Sequence, residues 1–145
     1  MIIYVDGDAC PVTNEIISIA NQRLIKVIVL KSYSHYSYRQ HLGFVEEIYL
    51  DSESEAVDYK LISLVKANDL VITQDYGLAS LALQKKCQVI HPRGFIFTER
   101  NIDRLLASRY QNAQIRKSGG RTKGPAPFTE KSRQQFVDTF TELIL

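Results

Sequence analysis

The sequence predicts a single α/β domain of three layers, in which a mostly parallel sheet of about five strands lies between helices. Short apolar runs rich in β-branched residues alternate with helix-like segments from residue 2 to residue 90. This alternation is typical of parallel strands joined by crossover helices. The length of 145 residues suits one domain, and no internal repeat or linker divides residues 1–145.

The predicted strands are short apolar runs bounded by polar or turn residues. A fully apolar run of this length is typical of a strand buried on both faces of a sheet. The third run carries Glu46 and Glu47, which favours a position near the sheet edge. The five runs are residues 2–5, 26–30, 44–50, 70–73 and 87–90.

Helices are predicted where apolar residues recur at a spacing of three and four. Pro11 lies at the first turn of the first helix, where its missing N–H costs nothing. The predicted helices are residues 11–22, 52–66, 77–85, 98–109 and 129–145. Residues 111–127 are basic, rich in glycine and poor in apolar side chains, so we expect a flexible loop there.

Composition excludes several classes of protein. Hydrophobic residues make up 45% and charged residues 23% of the chain, as in ordinary globular proteins. No apolar run approaches the roughly 20 residues that a membrane helix needs, and the early acids do not fit a signal peptide. The two cysteines, Cys10 and Cys87, show no spacing typical of zinc or a disulfide framework. We therefore expect a cytoplasmic protein with reduced thiols.

The net charge of +2 hides an asymmetry between an acidic front and a basic tail. Residues 1–103 hold 10 Lys and Arg against 13 Asp and Glu, whereas residues 104–145 hold 8 against 3. Such an arrangement suits a protein that binds metal at one place and a polyanion nearby, although it also arises without function.

Acidic side chains follow two of the predicted strands. Asp6 and Asp8 end the first strand and Asp75 follows the fourth. Ligands bind outside the carboxyl ends of parallel strands, so we expect these three side chains, with Arg93 after the fifth strand, at one edge of the sheet. Carboxylates held together need a cation, and a divalent metal is the usual one. Alternatively, Asp6 and Asp75 each cap the helix that follows.

A stretch of tyrosine, histidine and arginine lies between the second and third strands, at residues 32–41. Such side chains could stack on bases or contact phosphates. The alternative is an exposed connecting loop or a short helix that packs its tyrosines.

Five blocks of the sequence resemble the YaiI/YqxD family of bacterial proteins, in the order in which the family carries them. The family is uncharacterised in function and is placed, by fold analogy, with PIN-like domains, many of which are metal-dependent ribonucleases. The blocks are VDGDACPV at 5–12, DLVITQD at 69–75, Leu78-Ala79, PRG at 92–94 and GRTKGP at 120–125.

The resemblance implies which acids form the site. Asp6 and Asp8 match the first-strand acids, Asp75 the fourth-strand acid and Asp58 the acid of the intervening helix. PIN nucleases often carry a glutamate where this chain has Asp58, with Glu55 one turn earlier. The implied catalytic set is Asp6, Asp8, Asp58 and Asp75, with Asp6, Asp8 and Asp75 as metal ligands.

The leading hypothesis is a nuclease-like protein that uses Mg²⁺ or Mn²⁺ to act on RNA or other phosphodiesters. One alternative is a non-catalytic nucleic-acid-binding module with a vestigial site. Another is a small-molecule phosphohydrolase, because Asp6-Gly7-Asp8 resembles the Asp-x-Asp of haloacid-dehalogenase phosphatases. The side chains expected to contact phosphates are Arg93, Arg116, Arg121 and Lys123.

Overall fold

The computed structural model describes residues 1–8, 10–33, 43–51, 55–124 and 126–145. Strands and helices alternate along most of this length, as the sequence predicts. The strands are β1 (Ile3–Asp6), β2 (Val27–Ser32), β3 (Val45–Leu50), β4 (Leu70–Ile72), β5 (Gln88–Ile90) and β6 (Ile96–Phe97). The helices are α1 (Thr13–Gln22), α2 (Ala56–Leu64), α3 (Tyr76–Gln84), α4 (Glu99–Lys117) and α5 (Glu130–Leu143).

The strands form one sheet in the order β3-β2-β1-β4-β5-β6. Neighbouring strands are parallel except β6, which runs antiparallel to β5. The predicted α/β class with a mostly parallel sheet is therefore confirmed. The short β6 follows a turn at Gly94, whose φ is +94°, and a strand of two residues shows no period by which the sequence could reveal it.

The sheet separates two apolar clusters, which makes three layers. Successive side chains of a strand point to opposite faces, so Ile3 of β1 packs with Phe136 of α5, while Tyr4 packs with Leu61 of α2. Ile3, Leu61 and Phe136 are fully buried, and each contributes about 1.5–3 kcal/mol by leaving water. Helices α1 and α5 cover one face, and α2, α3 and α4 cover the other.

The strand order reverses between β1 and β4. From β1 the chain passes through α1 to β2 and then to β3, and α2 brings it back to β4 on the other side of β1. The carboxyl ends of β1 and β4 therefore lie side by side at the switch point of the sheet, the usual ligand site of open α/β sheets.

Helix α4 is longer than the sequence predicts, since it continues to Lys117 rather than ending near Arg109. It begins at a reciprocal capping box, in which Thr98 and Asn101 each accept a hydrogen bond from the other's backbone N–H, at 3.1 and 2.9 Å. Arg116 and Lys117 in its last turn favour the helix because cations stabilise the negative end of the helix dipole. The first seven residues of the predicted basic loop are thus helical; flexibility of the remainder stays a prediction.

Part of the prediction lies outside the described residues, including most of the aromatic stretch, from Ser34 to His41. Of that stretch, Tyr33 stacks on Tyr49 of β3 at 6.0 Å between ring centroids. Helix α2 begins at Ala56, after Glu55. Within the described part of the chain, no helix has the length and apolar character needed to cross a membrane.

Candidate functional site

Asp6, at the carboxyl end of β1, is tied to the end of β4 by Thr73. The Thr73 hydroxyl donates to Oδ2 of Asp6 over 2.9 Å and accepts from the backbone N–H of Asp75 over 3.0 Å. Thr73 is buried at 1% exposure, so this link between the two strand ends is shielded from water. Asp6 does not cap α1, whose N-cap is Val12 without a side-chain hydrogen bond; the capping alternative for Asp6 is wrong.

Asp75 is the N-cap of α3, as the alternative for this residue proposed. Its Oδ1 accepts from the backbone N–H of Leu78 over 3.1 Å, and Nη1 of Arg109 lies 3.6 Å from the same oxygen. Capping does not remove Asp75 from the site, because the carboxylate still lies beside the ends of β1 and β4. The Asp75 carboxylate thus caps α3 and pairs with the Arg109 guanidinium of α4 at the same time.

Asp8 is fixed against the end of β2. Its Oδ1 accepts from the backbone N–H of Ser32 over 3.0 Å. Gly7 allows this close approach, because a Cβ there would lie 2.7 Å from Cγ1 of Val29 and 2.8 Å from Cγ of Lys31. A side chain at position 7 would therefore clash unless Val29 and Lys31 moved.

The four predicted acids interact electrostatically. Burial raises the pKa of Asp6 to about 6, although the hydrogen bond from Thr73 lowers it. The neighbouring carboxylates add to the rise, in the order Asp58, Asp75 and Asp8. Burial likewise raises the pKa of Asp58, on α2, to about 6, with further contributions from Asp75 and Glu55 and an opposing one from Arg109. Burial is thus the main cause of both raised pKa values, and the neighbouring carboxylates add to it.

Two clefts meet at this edge of the sheet and share Tyr76 and Arg109. The acidic cleft has a volume of about 380 Å³, and the basic cleft has a volume of about 310 Å³. The acidic cleft is lined by Asp6, Asp8, Gln74, Asp75, Tyr76, His91 and Arg109. The basic cleft is lined by Tyr76, Leu105, Ser108, Arg109, Asn112, Arg116, Lys123 and Gly124.

His91 is a residue of the acidic cleft that the sequence reasoning missed. It follows β5, is only 8% exposed, and stacks on Phe95 at 4.4 Å between ring centroids. Its Nδ1 accepts from the backbone N–H of Arg93 over 3.0 Å, so the proton of the neutral ring is on Nε2. Burial, with the charge of Arg93, lowers the pKa of His91 to about 4.

His91 lines the acidic cleft. Its ring is held in place by stacking on Phe95 and by the hydrogen bond at Nδ1. The rule that gathered Asp6 and Asp75 at the strand ends would also have found His91.

Arg109 is the second missed residue, and it lines both clefts. Its side chain is 58% exposed and reaches Asp75 from α4, which packs on α3. Nothing in the sequence near Arg109 indicates this position, which depends on the path of α4 across α3. Arg109 supplies the positive charge closest to Asp75 among the described ion pairs.

The four predicted phosphate contacts occupy different places. Arg116 and Lys123 line the basic cleft, and Nη1 of Arg116 donates to Oγ1 of Thr122 over 3.0 Å. Arg121 is exposed and lines neither cleft. Arg93 donates from Nη2 to the carbonyl oxygen of Ala126, so it ties the segment before α5 to the end of β5. Two of the four are thus placed beside the acids.

The predicted metal shell of Asp6, Asp8 and Asp75 is not closed. Across the described ranges, no three His, Cys, Asp or Glu side chains lie close enough together to hold a metal ion. The donors still suit Mg²⁺ or Mn²⁺ chemically, because both prefer carboxylate oxygens. Mg²⁺ commonly keeps several waters and binds through one or two carboxylates plus substrate phosphates. One or two of the three aspartates suit this mode of binding, in which waters fill the remaining coordination positions.

Comparison with known proteins gives matches over nearly the whole chain. The profile of the family described as "Uncharacterized BCR, YaiI/YqxD family" matches residues 4–145. A UPF0178 protein of Bacillus cereus is 51% identical over 144 residues, 99% of each chain. UPF0178 proteins of Bacillus anthracis and Oceanobacillus iheyensis are 50% and 49% identical over 144 residues, also 99% of each chain. No solved structure matches. The chain therefore belongs to the YaiI/YqxD family.

Proposed function

We propose that this protein hydrolyses phosphodiesters of RNA at the acidic cleft, with Mg²⁺ or Mn²⁺ as its cofactor. One observation carries the proposal: the acidic cleft adjoins a basic cleft at the switch point of the sheet, and Arg109 belongs to both. Groups whose ionisation is opposed by burial and by like charges are typical of functional sites. Binding of the anionic phosphodiester needs positive charge nearby, which the basic cleft and a bound cation would supply together.

The residues divide into two groups by role. Asp6, Asp8 and Asp75 would hold the divalent cation, directly or through water, and the cation would supply polarisation of the phosphodiester and a lowered pKa of a bound water. Asp58 does not line the acidic cleft; its charge acts on the site by raising the pKa of Asp6. On the substrate side, Nε2 of His91 donates to a phosphate oxygen, and Arg109, Arg116 and Lys123 bind neighbouring phosphates.

A non-catalytic RNA-binding module is the second candidate. The open acidic set favours it, because no three candidate ligands lie together within the described ranges. In that case the basic cleft would bind the phosphates of RNA with a strong salt dependence. The carboxylates of the acidic cleft would only repel those phosphates. The raised pKa values of Asp6 and Asp58 favour the enzyme over the module, since binding of phosphate alone needs no cluster of acids.

We place this activity in the bacterial cytoplasm. Cys10 and Cys87 are free thiols, as is usual for proteins kept in a reducing compartment. RNA is abundant there, and the basic tail of the chain suits a polyanion.

The test compares wild-type protein with an Asp8→Asn, Asp75→Asn double variant. Each is incubated with end-labelled single-stranded RNA or DNA, with and without Mn²⁺. Cleavage that needs Mn²⁺ and is lost in the double variant supports the proposal. Salt-sensitive binding without cleavage supports the RNA-binding module, and hydrolysis confined to small phosphate esters overturns both.

A matched control removes the same charge elsewhere. Asp103 and Asp138 are exposed on α4 and α5, away from both clefts. An Asp103→Asn, Asp138→Asn double variant should cleave like the wild type. Equal loss of cleavage in this control would show that net charge, and not the acidic cleft, governs activity.

A further inference from the structure

A third cleft, here called the apolar groove, lies between α2 and α3. Its volume is about 620 Å³. Apolar side chains form most of it: Leu78 at the floor, with Tyr59, Ile62 and Leu81 around it. Tyr59 is 74% exposed and Leu81 is 47% exposed, an unusual degree of exposure for large apolar side chains that line one cavity.

The apolar groove continues into the acidic cleft. Asp75 and Arg109 line both. Asp58 and Glu55 also line the groove at α2, so its polar groups are mainly hydrogen-bond acceptors. Gly77 leaves space in the lining, where a Cβ would lie 3.2 Å from Oδ1 of Asp75. A ligand in the groove therefore meets apolar walls and an acceptor-rich end next to the site of phosphate chemistry.

These features define the chemistry of an occupant. It has a flat apolar ring that can lie against the Tyr59 ring, N–H donors on one edge for the carboxylates, and an attached phosphate that reaches the acidic cleft. An aliphatic chain would leave the carboxylates without donors, and an anionic group placed inside the groove itself would be repelled by them. A nucleobase meets all three requirements, because every base has a π-face and most carry N–H donors.

We propose that the apolar groove binds one nucleobase of the RNA, next to the phosphate held in the acidic cleft. This inference rests on the proposed function, which it extends by naming what flanks the phosphodiester. Stacking of a base on a single aromatic side chain changes affinity by about ten-fold or more. The base would thereby position its own phosphate, since the groove and the acidic cleft share Asp75 and Arg109.

Calorimetric titration with guanosine 5′-monophosphate and ribose 5-phosphate, in the presence of Mn²⁺, tests the proposal. Both ligands carry the same phosphate, and guanine adds a ring with two adjacent N–H donors. We expect guanosine 5′-monophosphate to bind about ten-fold more tightly than ribose 5-phosphate, or better. Equal affinities, or no binding of guanosine 5′-monophosphate at millimolar concentration, would overturn the base site.

Variants at exposed tyrosines show whether the groove supplies the difference. Tyr59→Ala should abolish the preference and Tyr59→Phe should keep it, because the ring and not the hydroxyl does the stacking. Tyr110, 66% exposed on α4 and outside the groove, is the matched control, and Tyr110→Ala should bind like the wild type. A preference that survives Tyr59→Ala would contradict this location.

The RNA cleavage assay separates this inference from the function on which it rests. Metal-dependent cleavage without any preference for the base-bearing ligand would refute only the base site. Preferential binding that depends on Tyr59, without cleavage of RNA, would establish the base site and refute the proposed hydrolysis.

Discussion

The hydroxyl of Thr73 donates to Oδ2 of Asp6 over 2.9 Å, across the boundary between β1 and β4. The hydroxyl oxygen of Thr73 also accepts from the backbone N–H of Asp75 over 3.0 Å. One buried hydroxyl thus sets the relative positions of two acids that belong to distant parts of the chain.

Replacing Thr73 with valine should therefore damage both stability and electrostatics. Valine has nearly the same shape, but it leaves a buried N–H and a carboxylate without their partner. We expect a loss of about 1–3 kcal/mol in the free energy of unfolding, measured by urea denaturation. Because the hydroxyl lowers the pKa of Asp6, that pKa should rise further. Thr139→Val on α5 is the control. An equal loss of unfolding free energy in that variant would show that the Thr73 hydroxyl has no particular effect.

Stability should depend on pH through Asp6. Its pKa is about 6 in the folded protein and 3.8 ordinarily, so the folded state binds the proton more tightly. This contribution to stability is full below about pH 4 and is lost as pH rises through about 6. Asp6→Asn should therefore be more stable than wild type above about pH 6, by on the order of 1–2 kcal/mol, and the difference should disappear near about pH 4.

The comparison between wild type and variant is needed because His91 acts in the opposite direction. Its pKa of about 4 lies below the ordinary 6.5, so its contribution is present above pH 6.5 and is lost as pH falls through about 4. Urea denaturation in chelator, at half-unit steps from about pH 4 to about pH 8, gives the difference directly. A pH-independent difference would mean that Asp6 titrates normally.

His91 should remain neutral, with its proton on Nε2, throughout the range from about pH 5 to about pH 8. Nitrogen NMR distinguishes the two ring nitrogens, because Nδ1 accepts a hydrogen bond and Nε2 carries hydrogen. His91→Phe keeps the stacking on Phe95 and removes the donor, so RNA affinity should fall about ten-fold. A ring that is protonated near neutral pH, or unchanged affinity in the variant, would remove His91 from the site.

Arg109→Ala should weaken RNA binding far more than it weakens the fold. The contact with Asp75 is 3.6 Å long and the side chain is 58% exposed, so the loss in unfolding free energy should stay below about 1 kcal/mol. RNA affinity should fall several-fold, with a shallower dependence on salt because one phosphate contact is lost. Arg104→Ala, exposed on the same helix, is the control. If Arg109→Ala and Arg104→Ala lowered RNA affinity equally, Arg109 would contribute only through the net charge of the protein.

Much of the fold follows from local pattern. Apolar runs such as residues 70–73 are too short for helices and too apolar for loops, and the amphipathic segments between them fix parallel pairing. The positions of Asp6, Asp8 and Asp75 follow from the same logic, since each lies at the end of a strand or within three residues of it. The sequence could not indicate β6, which has only two residues.

The rest of the site depends on tertiary packing. A threonine at the end of a strand has no pattern that reveals its partner, and Thr73 becomes significant only once β1 and β4 are neighbours. Arg109 reaches the clefts because α4 packs on α3, and no local sequence signal encodes these contacts. The predicted metal shell required three carboxylates to converge, but Asp75 caps α3 and Asp8 contacts β2.

The most direct measurement is the rate of single-stranded RNA cleavage as a function of Mn²⁺ concentration, for wild type and the Asp8→Asn, Asp75→Asn variant side by side. In the wild type the rate should rise and saturate with Mn²⁺, and cleavage should be absent in the variant. No cleavage at any Mn²⁺ concentration, or equal rates for the two proteins, would contradict the proposed hydrolysis.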